Sequence, residues 1–265
     1  MKKNIKKISL LLLVLFSFFY TDKVINLINK KDPLMIKINS VKDEYNTLAV
    51  DATIVGDTII PGINGKIVDI DKSYEKMKSG GVFREDSLVY IEVHPSNSIN
   101  NNIDKYIVKG NNTKKEVSII YIIKNNKDIE QVQNINNITL FIESTYLNID
   151  NINKLKNKEI YTYGKNGVYS EEILSNDNTL ISRISNNKSI YCLSNTPNDE
   201  LLKVCNNNSM YVIIPNIIGN YLDIKNNLSN GSIILLDSLS NINIITKYIY
   251  GKGYDIVSLS KLLEE

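Results

Sequence analysis

From Glu116 onward the chain alternates apolar runs with segments of helical period. The runs "VSIIYII", "ITLFIES", "EIYTYG", "KSIYCLS", "MYVIIPN", "GSIILLD" and "YDIVSL" are largely apolar at consecutive positions. Strands of that kind are covered on both faces, and their alternation with helices predicts a parallel sheet wrapped by helices. Helix signals fall between them: Ser170 before Glu171 and Glu172, Pro197 opening "PNDELLKVC", "YLDIKNNLSNG" closing on Gly231, and Ser240 before "NINIITKYIYGKG". The segment from Ser170 to Ser185 carries an apolar stripe of Ile173, Leu174, Leu180, Ile181 and Ile184, as a helix covering a sheet does. Roughly seven such β/α repeats fit an open doubly wound sheet or a barrel, and in both the functional positions lie at the carboxyl ends of the strands. Those ends are Ile122 and Ile123, Glu143 and Ser144, Tyr163, Asn195, Asn216 and Asp237.

Before residue 112 the pattern is different. "DPLMIKI", "DATIVGDTIIPGINGKIVDID" and "DSLVYIEVHP" alternate apolar and polar residues between Gly, Pro and Asp turns, around one helix at "DKSYEKMKSGG" capped by Asp71 and stopped by Gly80 and Gly81. Residues 31–112 thus read as a small β-rich module, joined through Lys109–Lys115 ("KGNNTKK") to a second domain over 113–265.

The first 30 residues are a third region. "MKKNIKK" is a basic flank, and Ile8 to Tyr20 is an apolar run of about 13 residues, shorter than the roughly 20 of a full span unless Val24 to Ile28 extends it. No A-x-A-like cleavage site follows, so an uncleaved single-pass anchor is preferred, with a cleaved signal and secretion as the alternative. The basic end stays inside and the rest of the chain lies outside the membrane.

Composition changes the picture mainly by exclusion. With 31 basic and 29 acidic residues the net charge is +2, which asks for no nucleic acid. Two cysteines, Cys192 and Cys205, form a disulfide or stay as two buried thiols, and their spacing is not that of a metal site. The single histidine, His94 before Pro95, reads as a turn residue. Ser144, Ser170 and Ser194 have no downstream histidine to activate them. Glu143 and Asp237 are the carboxylates that a hydrolytic reading would use, against a plainer reading as solvated strand ends. Among the tyrosines, Tyr161, Tyr163 and Tyr169 are candidates to stack on sugar rings or to fill half-buried strand and helix positions. Lys165 and Asn166 belong to a "KNG" turn that also offers donors; Tyr163, Lys165, Asn195 and Asn216 are the candidate ligand contacts.

The segments "KEVSIIYIIKNN", "ITLFIESTYL", "EIYTYGKNGVYS", "YCLSNTPNDELLKVC" and "NGSIILLDS…IITKYIYGKGYDIVSLSKLL" fall in the order of the NodB-homology polysaccharide deacetylases, which residues from about 115 to 263 resemble. "IIPGINGKIVDIDKSYEKMK" resembles the accessory region of membrane-anchored Firmicutes members. The resemblance implies an α/β fold, a distorted (β/α) barrel, preceded here by the anchor helix and the β-rich module. It also implies metal-assisted removal of acetyl groups from a sugar polymer, with an aspartate and two histidines on a divalent ion such as zinc, a second aspartate as base and a late histidine as acid. Matched to this sequence, the aspartate pair falls on Ile122 and Ile123, the H-x-x-x-H pair on Tyr163 and Gly167, the arginine-containing loop near Leu193 to Pro197, and the late histidine on Asp237. Isoleucine has no lone pair and glycine no side chain, so the metal site is expected to be lost. The expectation is a pseudoenzyme with no cofactor, binding cell-wall polysaccharide or peptidoglycan. The alternatives are a glycan hydrolase using an unrecognised site and an envelope-protein partner of an active deacetylase.

Overall fold

The computed structural model describes residues 16–17, 23–24, 28–185 and 189–265. The anchor expected over residues 1–30 lies for the most part outside the described residues, and no helix among the described residues is long and apolar enough to cross a membrane.

In chain order the elements are α1 (Pro33–Tyr45), β1 (Thr53–Val55), β2 (Thr58–Ile60), β3 (Gly65–Val68), α2 (Ile70–Met77), β4 (Tyr90–Val93), β5 (Tyr106–Ile107), β6 (Glu116–Ile123), α3 (Asn126–Val132), β7 (Ile138–Glu143) and α4 (Ile149–Lys154). They continue with β8 (Glu159–Gly164), α5 (Glu171–Ser185), β9 (Tyr191–Leu193), α6 (Asp199–Asn207), β10 (Tyr211–Ile213), β11 (Ile217–Gly219), α7 (Tyr221–Asn227), β12 (Ile233–Leu236), α8 (Ile242–Gly251), β13 (Asp255–Ile256) and α9 (Leu259–Leu262). They form two compact units, one of Met1–Ala49 with Asn64–Val93, the other of Val50–Ile63 with His94–Glu265.

The smaller unit packs two helices against a hairpin. "DPLMIKI" begins α1 and is not a strand: the Asp32 carboxylate accepts from Leu34 N at 2.8 Å, and Pro33 sits in the first turn, where its missing N–H costs nothing. Leu34, Ile38 and Val41 then return to one buried face at helical spacing, and Leu34 and Ile38 pack with Val68, Tyr74, Met77 and Leu88. The expected alternation was an accident of a seven-residue window that stopped before the helix did. The cap of α2 is Asp69, which accepts from Lys72 N at 3.0 Å, and not Asp71.

The larger unit begins earlier than residue 113. β1 and β2 form an antiparallel hairpin, β2 pairs with β5, and β5 pairs with β10, so residues on the amino-terminal side of the expected joint complete a sheet of order β1-β2-β5-β10-β9. The second sheet runs β11-β12-β6-β7-β8, all parallel, with β13 against the start of β6. β10 and β11 flank Pro215, and this bent segment supplies one strand to each sheet. At the other seam Thr162 N donates to Ser189 Oγ at 3.1 Å. A distorted (β/α) barrel results.

Alternation along each strand sorts the side chains. Ile120, Ile122, Phe141, Tyr161, Tyr191, Leu193, Ile213, Ile233 and Leu235 fill the inside. Val117, Ile119, Ile123, Leu140, Ile142, Ile160 and Ile234 face out, under Ile129, Ile152, Ile181, Ile245 and Ile249 of the helices. Each fully buried isoleucine contributes about 2 kcal/mol relative to an exposed one. Inside, Phe141, Tyr161, Tyr191 and Tyr211 form a ladder of rings at 5.5, 5.0 and 6.0 Å. Burial raises the Tyr161 and Tyr191 phenols far above the ordinary tyrosine range and keeps them neutral. The amino-terminal end of the barrel is plugged by Leu259 and Leu262 of α9. Glu159 holds that plug by accepting from Leu259 N at 2.8 Å and Ser260 N at 3.1 Å. Cys192 and Cys205 are bonded, with an S–S distance of 2.07 Å, tying β9 to α6.

Candidate functional site

At the carboxyl ends of β6, β8 and β12 a cavity of about 350 Å³ opens, lined by Tyr121, Ile122, Lys124, Asn125, Asp128, Tyr163, Asn195, Ile218, Leu235, Leu236 and Asp237. Four of the residues singled out in the sequence meet there: Ile122, Tyr163, Asn195 and Asp237.

Ile122 faces the inside of the barrel and forms part of the cavity wall, whereas Ile123 is fully buried among the outward-facing residues under the helices. The reason is that β6 stays paired through Ile123, opposite Ile142, so alternation turns this side chain away from the mouth. Gly167 lies at φ +77°, in the tight turn bridged by Lys165 and Val168. A Cβ there would meet the Tyr163 hydroxyl at 3.0 Å, so the Tyr163 ring uses the room that a side chain at 167 would need.

Four other residues weighed in the sequence sit elsewhere. Asn216 lies at the start of β12, where its Oδ1 accepts from Ile233 N at 2.7 Å, so it holds the barrel wall and is not a glycan contact at the mouth. Lys165 pairs through its backbone with Val168 in the same turn as Gly167, and it is not among the cavity residues. Glu143 is buried and accepts from Thr145 Oγ1 at 3.1 Å, so it does not share the cavity with Asp237 as a carboxylate pair. His94 belongs to the larger unit, not to the upstream module, and does not line the cavity.

The residues missed in the sequence are Tyr121, Lys124 and Asp128. Asp128 accepts from the Tyr121 hydroxyl at 3.3 Å through one oxygen and from Lys124 N at 2.9 Å through the other. Its own N–H is capped by Asn125 Oδ1 at 3.0 Å, so the strand-to-helix turn presents this group as a unit. Burial first, then the charge of Asp128 and a smaller contribution from Asp237, push the Tyr121 phenol up to about 12. The Lys124 ammonium lies 5.8 Å from the centre of the Tyr163 ring, within cation–π range. Burial, and secondarily Glu143, also raise the Tyr163 phenol. "KNNKD" was the available signal, an Asn cap with Asp three residues on.

The donors do not suit a hydrolytic divalent ion. Among the described residues no group of three or more His, Cys, Asp or Glu is placed to hold a metal. In the cavity the Asp128 oxygens are already engaged and Asp237 stands beside isoleucine and leucine. A three-ligand site cannot be assembled from one available carboxylate.

The fold is similar to that of solved CE4 family structures. Wild-type BA3943 from Bacillus anthracis, a CE4 family pseudoenzyme, superposes with a TM-score of 0.63 at 20% identity, over 89% of this chain and 96% of that one. A BA3943 mutant with restored enzymatic activity gives the same score at 20% identity, over 88% and 98%. The Bc1960 peptidoglycan N-acetylglucosamine deacetylase superposes at 0.50 and 13% identity, over 60% of this chain and 95% of that one. In sequence, the chain is 40% identical over 93 residues to the uncharacterized protein YlxY of Bacillus subtilis (strain 168), a match spanning 34% of this chain and only 28% of that protein's length. No family model matches.

Proposed function

We propose that this protein is a catalytically silent deacetylase-fold protein of the cell envelope that binds a wall glycan at the barrel mouth. The observation that carries this reading is the cavity itself. It keeps the position at which a deacetylase of this fold works, while Ile122 and Tyr163 stand where acid and histidine ligands are expected and Ile123 is turned out of the site. What remains suits a sugar: apolar and aromatic walls from Ile122, Ile218, Leu235 and Tyr163, with Asn195, Lys124 and Asp237 offering hydrogen bonds. The likeness to a CE4 pseudoenzyme supports the loss of chemistry. The polymer class is suggested by the peptidoglycan deacetylase that shares the fold. The disulfide supports an oxidising compartment, and the basic flank followed by an apolar run supports a membrane-held amino terminus with the barrel outside.

The test is acetate release by the full chain from acetylated chito-oligosaccharides and from peptidoglycan, with zinc supplied, beside glycan pull-down. The expected result is retention on the polymer with no acetate above the protein-free control. Zinc-dependent turnover would overturn the reading.

A further inference from the structure

The same cavity carries a statement about which glycan it takes, resting on the glycan-binding reading above. Two carboxylates border it, and they differ in what they have left to give. Both oxygens of Asp128 are engaged, by the Tyr121 hydroxyl and by Lys124 N. Asp237 follows the end of β12, exposed and placed by its backbone N–H on Gly219 O at 3.4 Å; its carboxylate has no hydrogen-bond or ion-pair partner among the described residues. Lys124, the cation of the cavity, is drawn to the Tyr163 face.

We infer that Asp237 selects an amino sugar whose nitrogen is free, so that the cavity binds the deacetylated form of the polymer in preference to the acetylated one. A protonated amine on the ring offers three N–H donors and a positive charge to a carboxylate that has neither. An acetamido group offers one N–H and no charge. The ring itself lies against Tyr163, Ile122 and Ile218, whose apolar faces match the C–H face of a hexose. Lys124 is left to donate to ring hydroxyls. The replacement of a metal-centred donor set by a lone carboxylate thereby converts a site built for the acetyl group into one that recognises the product of its removal.

The test is calorimetric titration of the full chain with a glucosamine hexamer and with the fully N-acetylated hexamer. The glucosamine form is expected to bind at least about tenfold tighter, the factor of one hydrogen bond to a charged group. The preference should fade as pH rises and the amine loses its proton. Asp237→Asn keeps the shape, removes the charge and breaks no contact, so its thermal unfolding should match the parent while the preference disappears. Equal or tighter binding of the acetylated hexamer, unaffected by Asp237→Asn, would overturn the amine preference and leave glycan binding standing. Failure of both hexamers to bind would remove the glycan-binding reading as well.

Discussion

At the scale of single residues, two adjacent isoleucines have opposite duties. Ile123 is sealed between sheet and helices, so Ile123→Ala should cost about 2–5 kcal/mol in urea unfolding, the range for emptying a well-packed site. Ile122 borders open space, and Ile122→Ala should cost clearly less in the same measurement. Gly167→Ala introduces strain at φ +77° and a contact with Tyr163, and should destabilise by about 1–2 kcal/mol. Tyr121 gives a pH signature. Its phenol is raised from 10.0 to about 12 in the fold, so its contribution to stability is intact below about pH 10 and is lost as pH rises from there through 12. Tyr121→Phe should remove that share of the alkaline loss in unfolding curves taken across the window, leaving the part due to Tyr161 and Tyr191.

At the scale of elements, the strands of the parallel sheet were legible because each is apolar at nearly every position, and no other element packs that way. β5 and β11 were not, because two or three residues carry no period, and only the pairing of β5 with β2 and β10 shows that the barrel reaches back to Val50. The helix at Pro33–Tyr45 was missed for a different reason: its start, Leu34 to Ile38, is apolar at all but Lys37, and the helical period shows only once Val41 is included. Site residues followed the same logic. Asp237 and Tyr163 could be placed by counting along strands, but the Tyr121–Asp128 contact joins a strand to the helix after it, and Glu143 folds back on Thr145. Two devices fasten the elements and can be tested. The disulfide closes a separation of 13 residues, and its reduction should cost about 3 kcal/mol in denaturant titration. Glu159→Ala frees the first turn of α9 and should cost about 1–2 kcal/mol, the loss of a helix cap, with the plug at Leu259 loosened in hydrogen exchange.

For the whole molecule, a barrel can outlast its chemistry because stability and reaction draw on different residues. The aromatic ladder, the outward isoleucines and the α9 plug hold the fold, and of the mouth residues only the apolar Ile122, Leu235 and Leu236 belong to the buried core with them. The mouth holds a cavity with the Tyr163 ring, Lys124 and the unpartnered Asp237 carboxylate among its lining groups. The most direct measurement is zinc stoichiometry by equilibrium dialysis of the full chain, with Asp237→Ala alongside. No zinc that depends on Asp237 is expected at the mouth; one zinc per chain, lost in Asp237→Ala, would contradict the reading of this mouth as a metal-free binding site.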